Sequence, residues 1–300
     1  MSPKTWSSYQ RALSEFIAFC RQESLFFANS RELDLSLQYF ITELFLCGGS
    51  RQTGVNAVAA TLLMHPHCRC QLPRARSCLR GWLRLRPSVS WPPISWELTA
   101  LVVVHFLKTG RPRVAFAILL TFDCLLRGGE LTSLRRSDIA VPNDPRLGGS
   151  SRSSYALHLR NTKTGKNMWV EVRTPILGYL FKYFLRGRGN SLLFPFSLPQ
   201  LRRWFREACT AVGCRTKFTL HSLRHGGATH LHLARVPIED IMYRGRWASN
   251  KSCRRYIQAG RALLLQMKEA SPVLFLAKYF SVRLVHTFEM YFSALREGGN

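Results

Sequence analysis

The sequence predicts a mainly α protein with a small β-sheet or hairpin, organised as two helical domains of which the second carries the strands. Three observations predict it. Apolar residues recur at helical spacing through most of the 300 residues. Two short segments alternate apolar with polar or small residues. One proline-rich stretch, "RPSVSWPPISWEL" (86–98), interrupts the helical pattern about a third of the way along.

Residues 5–85 read as helices. Trp6, Tyr9, Leu13, Phe16 and Ile17 mark one apolar face. Leu35 to Cys47 forms a second helix closed by Gly48-Gly49, and 51–64 and 72–85 form two more. Pro92-Pro93 cannot continue a helix. The domains are therefore 1–86, a linker at 87–97, a second domain at 98–265 and a helical tail at 266–300. The second domain opens with helices at about 96–108 and 111–126. Tyr155, Leu157 and Leu159 alternate with polar or small neighbours, as do Met168, Val170 and Val172. Between them, "RNTKTGKN" (160–167) makes a β-hairpin with a basic tip. Helices follow at about 174–186, 198–212, 221–234, 237–244 and 249–265. In the tail, apolar residues at 276, 280, 284, 288, 292 and 295 form one helical stripe. It suits packing on its own domain or docking on a neighbouring protomer.

Charge narrows the partners. Lys and Arg number 43 against 17 Asp and Glu, a net charge of +26. Such a surface attracts polyanions, and nucleic acid is the commonest large one. Seven arginines and no acid lie between Leu44 and Trp96, and seven basic side chains and no acid in 172–206. Both halves are basic, as expected of a protein that grips a duplex from two sides. Residues 1–20 do not read as a signal peptide. The apolar stretches at 98–107 and 114–126 are too short to span a bilayer. Nine cysteines without pairing rhythm point to a reducing intracellular compartment. "HPHCRC" (65–70) lacks a second ligand pair at finger spacing, which argues against zinc.

"HSLRHGGATH" (221–230) carries three histidines and one arginine. His221 and Arg224 share a helix face. His221 and His225 have the spacing of a helical zinc pair. A hydrolytic zinc site would place Glu after the first histidine, where this chain has Ser222, and Arg224 would repel a cation. A phosphate clamp needs partners, and the chain supplies them. "LLRGGELTSLRRSDI" (125–139) places Arg127 at the end of an apolar helix, to be oriented by Glu130. The hairpin offers Lys163, with Lys166 as its rival. "RGRWASNKSCRRYI" (244–257) offers Trp247 and, nine residues later, Tyr256.

In this order over residues 97–260, these stretches resemble the catalytic domain of the tyrosine recombinases, the phage-integrase family. Residues 1–86 resemble that family's helical core-binding domain. "HSLRHGGATHL" and "GRWASNKSCRRYI" are most similar to enzymes of DIRS-type and Crypton-type mobile elements. The resemblance implies a site-specific DNA recombinase or integrase that cuts and rejoins double-stranded DNA through a 3′-phosphotyrosine. Tyr256 is then the nucleophile, and Arg127 and Arg224 hold the non-bridging oxygens. Lys163 is the general acid for the 5′-oxygen, and His221 assists proton transfer. Trp247 stands where histidine is more usual, able to donate but not to shuttle a proton. A tyrosine pKa of about 10 makes ionisation at pH 7 cost ~4 kcal/mol, which neighbouring cations lower.

The resemblance further implies no cofactor, no metal and no small-molecule substrate. It also implies a homo-tetramer on DNA, and residence in the nucleus of a eukaryotic cell or the cytoplasm and nucleoid of another. The alternatives are a catalytically silent DNA-binding protein of the same fold and a type IB topoisomerase-like enzyme. Two features depart from the family: the small Gly128-Gly129 pair, and a loop at 140–154 longer than a minimal member needs.

Overall fold

The computed structural model describes residues 1, 3–87, 90–147, 154–162, 165–185 and 190–297. The chain divides into two compact units, Met1–Val89 and Ser90–Asn300.

The first unit holds α1 (Pro3–Gln22), α2 (Ser30–Leu46), α3 (Arg51–Met64) and α4 (Pro73–Leu85). Its core gathers Phe16, Leu37, Phe40, Ile41, Leu72, Leu79 and Trp82. Trp6 and Ile17 fit the helical stripe of α1 but are exposed, and Ala12, Phe16 and Cys20 are the residues it buries. The buried Asp34 accepts the first backbone N–H groups of α4, from Arg74 at 3.0 Å and Ala75 at 2.9 Å. These are orphan donors that a carboxylate satisfies well.

The second unit is built around α5 (Trp96–Lys108) and α6 (Pro112–Asp123), both buried on nearly every face. Around them lie α7 (Gly128–Ser133), α8 (Pro175–Phe184), α9 (Leu198–Ala211), α10 (Leu220–Leu233) and α11 (Ile238–Gly245). Then come α12 (Asn250–Arg254), α13 (Ala259–Gln266), α14 (Ser271–Val282) and α15 (Leu284–Glu297). The antiparallel sheet has order β1 (Ile139–Ala140), β2 (Ala156–Asn161), β3 (Lys166–Glu171). Leu157 faces Val170 and Leu159 faces Met168. Strand β1 lies within the long loop after α7; residues 148–153 of that loop lie outside the described residues.

Two expected helices are divided. Residues 249–265 form α12 and α13, with Tyr256 in the break. The Tyr256 carbonyl accepts from Thr229 Oγ1 at 3.3 Å, and Gln258 N–H donates to the same hydroxyl at 3.0 Å. Thr229 of α10 thus takes up backbone groups that a continuous helix would have paired internally. The tail breaks at Arg283 into α14 and α15. It packs on its own unit: Leu284, Phe288 and Phe292 join the core, and Phe292 meets Tyr183 at 3.9 Å between ring centroids. The Glu269 carboxylate ties the start of the tail to Arg215 N at 2.8 Å and Thr216 N at 3.1 Å.

Candidate active site

The site begins where α6 stops. Asp123, its last residue, accepts from Thr174 Oγ1 at 2.8 Å, ahead of α8, and from Arg244 Nη2 of α11 at 2.8 Å. Leu125 then takes a left-handed backbone, φ 50°. Its carbonyl accepts from Arg224 Nη1 and, at 2.8 Å, from Arg246 Nη2.

Arg127 is the N-cap of α7. Glu130 takes its backbone N–H at 2.8 Å through one oxygen and its Nη1 at 2.7 Å through the other. The Gly128-Gly129 pair therefore begins a helix, and the chain turns earlier, at 124–126. Glu130 also accepts from Arg246 Nη2 at 2.8 Å and lies 4.0 Å from Arg224 Nη1. Burial alone would raise its pKa, but Arg246 and the Arg127 hydrogen bonds hold the carboxyl below its ordinary value. One carboxylate thus gathers three guanidinium groups and leaves the cluster net positive.

Helix α10 brings in the second arginine. A Cβ at Gly226 would stand 2.0 Å from the Ile94 carbonyl oxygen, and one at Gly227 would stand 2.2 Å from that of Phe122. Only glycine lets α10 approach the end of α6 so closely. Arg224 arrives fully buried, with Nη2 on the Gly245 carbonyl. Its guanidinium carbon lies 4.6 Å from the Trp247 ring centroid and 5.3 Å from that of Tyr256. Burial, then Arg246 and Arg127, lower its pKa to about 9, so it stays charged at pH 7. Burial followed by Arg224, Arg127 and Arg202 holds His221 at about 4. It is a neutral ring at pH 7, able to accept a proton, 5.5 Å from the Tyr256 ring between centroids.

Trp247 is 8% exposed, and its indole Nε1 is buried with no hydrogen-bond partner among the described residues. Its ring lies 4.7 Å from that of Tyr256, which is half-buried. The structure thus brings Arg127, His221, Arg224, Trp247 and Tyr256 around one locus. Lys163 lies outside the described residues, while Lys166 is exposed at the start of β3. Beside His221 opens a cleft of about 530 Å³, lined also by Trp91, Leu198, Arg202 and Arg206.

Several residues of the site were not singled out from sequence. Arg246 is buried in a left-handed backbone, φ 56°, and braces Glu130 together with the Cys124 and Leu125 carbonyls. It looks like one more member of a basic surface run. His225, which the sequence offers only as half of a helical zinc-pair spacing, stacks on Tyr256 with centroids 4.4 Å apart and planes at 21°. Among the described residues no group of three or more His, Cys, Asp or Glu is placed to hold a metal, and no helix is long and apolar enough to cross a membrane.

Solved structures share this architecture. A lambda integrase dimer bound to a COC′ core site superposes with a TM-score of 0.60 at 13% identity, over 87% of this chain and 73% of that one. XerH site-specific recombinase bound to difH gives 0.56 at 18% identity, over 84% and 75%. The Tn1549 transposon integrase in complex with circular intermediate DNA gives 0.52 at 13% identity, over 84% and 98%. No curated protein sequence matches the chain. The fold is that of the tyrosine recombinase class, enzymes of DNA strand transfer. The description "Phage integrase family" matches residues 98–262, more than half of the sequence, and the chain belongs to that family.

Proposed function

We propose that the protein is a site-specific DNA recombinase that cuts and rejoins duplex DNA through a phosphotyrosine at Tyr256. The observation that carries this is the Tyr256 ring 5.3 Å from the buried Arg224 guanidinium and packed against Trp247. A phosphodiester drawn into the cluster meets Arg127 and Arg224 through its non-bridging oxygens, which a planar guanidinium binds in pairs. The unpartnered Trp247 Nε1 supplies a further donor.

The Tyr256 oxygen forms a bond to phosphorus as the bond to the 5′-oxygen breaks. His221, neutral at pH 7, takes the phenolic proton, and Lys163 gives one to the departing 5′-oxygen. Charge growing on the phosphate is met by cations already in place, the arrangement that lowers a barrier most. The 3′-phosphotyrosine retains the bond energy. A 5′-hydroxyl from a second strand then attacks it, giving its proton to Lys163, and the diester reforms as His221 returns the phenolic proton to Tyr256.

The cleft beside His221, with Arg202 and Arg206, continues the basic surface along which a DNA backbone would run. Exposed Arg80 and Arg84 on α4 supply a second basic face, as a core-binding domain requires. Exchange between two duplexes needs four cleavages, so four copies on DNA are the unit of the full reaction. Exposed Leu263, Leu264 and Met267 around α13 are apolar side chains available for self-association.

The test is incubation with a suicide duplex, nicked so that the short fragment carrying the freed 5′-hydroxyl escapes, followed by a denaturing gel. A covalent adduct that is lost in Tyr256→Phe supports recombinase chemistry. Retention of DNA with no adduct contradicts it and leaves a silent DNA-binding protein.

A further inference from the structure

Gln258 lies two residues after Tyr256, and no role described above uses it. Its side-chain amide is held on all sides. Arg261 Nη1 donates to Gln258 Oε1 at 2.9 Å. Gln258 Nε2 lies 3.0 Å from Ser90 Oγ, 3.1 Å from the Trp91 carbonyl oxygen and 2.7 Å from His225 Nδ1. A guanidinium only donates and a carbonyl only accepts, so Arg261 and Trp91 fix which end of the amide is oxygen. The end facing His225 is then the nitrogen, which donates. Nδ1 must be the bare nitrogen of the imidazole, and the ring proton sits on Nε2.

The ring fixed in this way is the one flat against Tyr256, at 4.4 Å and 21°, whereas His221 meets the same ring edge-on at 5.5 Å and 64°. Arg261 is tethered in turn, donating to the Ser90 carbonyl at 2.6 Å. A protonated His225 would set an N–H against the Gln258 N–H. It would also add charge beside His221 and Arg224 on its own helix and Arg261 on α13. Burial first, then His221, Arg224 and Arg261, hold its pKa down to about 4 against the pull of the Tyr256 carbonyl.

We propose that Gln258 is a positioning residue for Tyr256: it locks His225 in the neutral tautomer with its proton on Nε2, and the locked ring holds the phenol in place beside Arg224 and Trp247. This rests on Tyr256 being the nucleophile. The chain's own geometry around the tyrosine, rather than DNA binding alone, then sets how often the phenol stands in line with the phosphorus.

The experiment uses the full chain labelled with ¹⁵N-histidine, with the His225 signals assigned by their loss in His225→Phe. At pH 7 the expected spectrum shows a bare Nδ1 and a protonated Nε2. In Gln258→Glu, a nearly isosteric change that turns the donor into an acceptor, Nδ1 becomes the protonated nitrogen. Adduct formation on saturating suicide duplex then falls about tenfold to a hundredfold, the scale of a small misplacement of reacting groups. DNA affinity stays at the parent value, and the fall in melting temperature expected from the lost Trp91 contact leaves the protein folded at the assay temperature. His225→Phe, which keeps a flat ring on the tyrosine, retains more of the rate than His225→Ala. A protonated Nδ1 in the parent protein overturns the proposal. So does a Gln258→Glu protein whose tautomer flips while its adduct rate is unchanged; in that case loss of adduct in Tyr256→Phe shows that the nucleophile reading survives. Adduct formation by Tyr256→Phe overturns both.

Discussion

Replacing Trp247 with Phe should separate stability from activity. The indole N–H is buried without a partner, and such a donor costs about 1–3 kcal/mol in the fold. Phe removes that donor. It also gives up part of a buried ring and weakens the face that the Arg224 guanidinium meets at 4.6 Å. Those losses amount to about 1–2 kcal/mol. The two contributions oppose each other, and the folded state should change by no more than about 1 kcal/mol. The transition state is different. If Nε1 donates to the phosphate, its removal costs ~2.7–4 kcal/mol, or about 10²–10³ in rate. Urea unfolding and single-turnover adduct formation on one suicide duplex, with the same protein preparation, read both quantities. Trp247→His, which restores a donor, should recover part of the rate. A Trp247→Phe protein that loses several kcal/mol of stability while its adduct rate stays at the parent value would show that Trp247 acts through packing alone and donates nothing to the phosphate.

Other outcomes follow from the same geometry. Glu130→Gln takes the counter-charge from buried Arg246 and Arg224, and urea unfolding should show a loss of about 3–5 kcal/mol. His221 and His225 sit at about 4 in the fold against an ordinary value of 6.5. The unfolded chain therefore binds more protons between those values, and stability should fall as pH drops from 6.5 towards 4. His225→Phe should flatten that dependence in thermal melts across the window. Phe292→Ala should cost ~3–5 kcal/mol at protein concentrations where the chain is monomeric, because the tail packs on its own unit. A stability loss seen only on assembly would contradict that packing.

Some of this was legible in the residues. Arg127, Arg224 and Tyr256 stand at spacings that a helix and a turn translate into direction, and Glu130 three residues after Arg127 already suggested its partner. The mainly helical fold followed from apolar periodicity that tertiary packing reinforced. Other features depend on contacts between distant segments. Nothing near Tyr256 announces a helix break, because Thr229, on another helix, supplies the groups that make it. Arg246 resembles its exposed neighbours until Glu130 and the Leu125 carbonyl are brought to it. The Gln258 amide is informative only with Arg261 on one side and Trp91 on the other. Conversely, the single stripe read in the tail overlooked the break at Arg283, which redirects α15 so that Phe288 and Phe292 reach the core while Leu295 remains exposed.

The proposed chemistry bonds one phenolic oxygen, that of Tyr256, to DNA. Trypsin cuts after Arg255 and Arg261, so the peptide 256–261, YIQAGR, holds a single tyrosine. Mass spectrometry of the suicide-duplex adduct, digested with nuclease and trypsin, should find that peptide carrying a nucleotide through a 3′-phosphate. A nucleotide on any other peptide, or the 256–261 peptide recovered wholly unmodified from a genuine adduct, would show that Tyr256 is not the nucleophile.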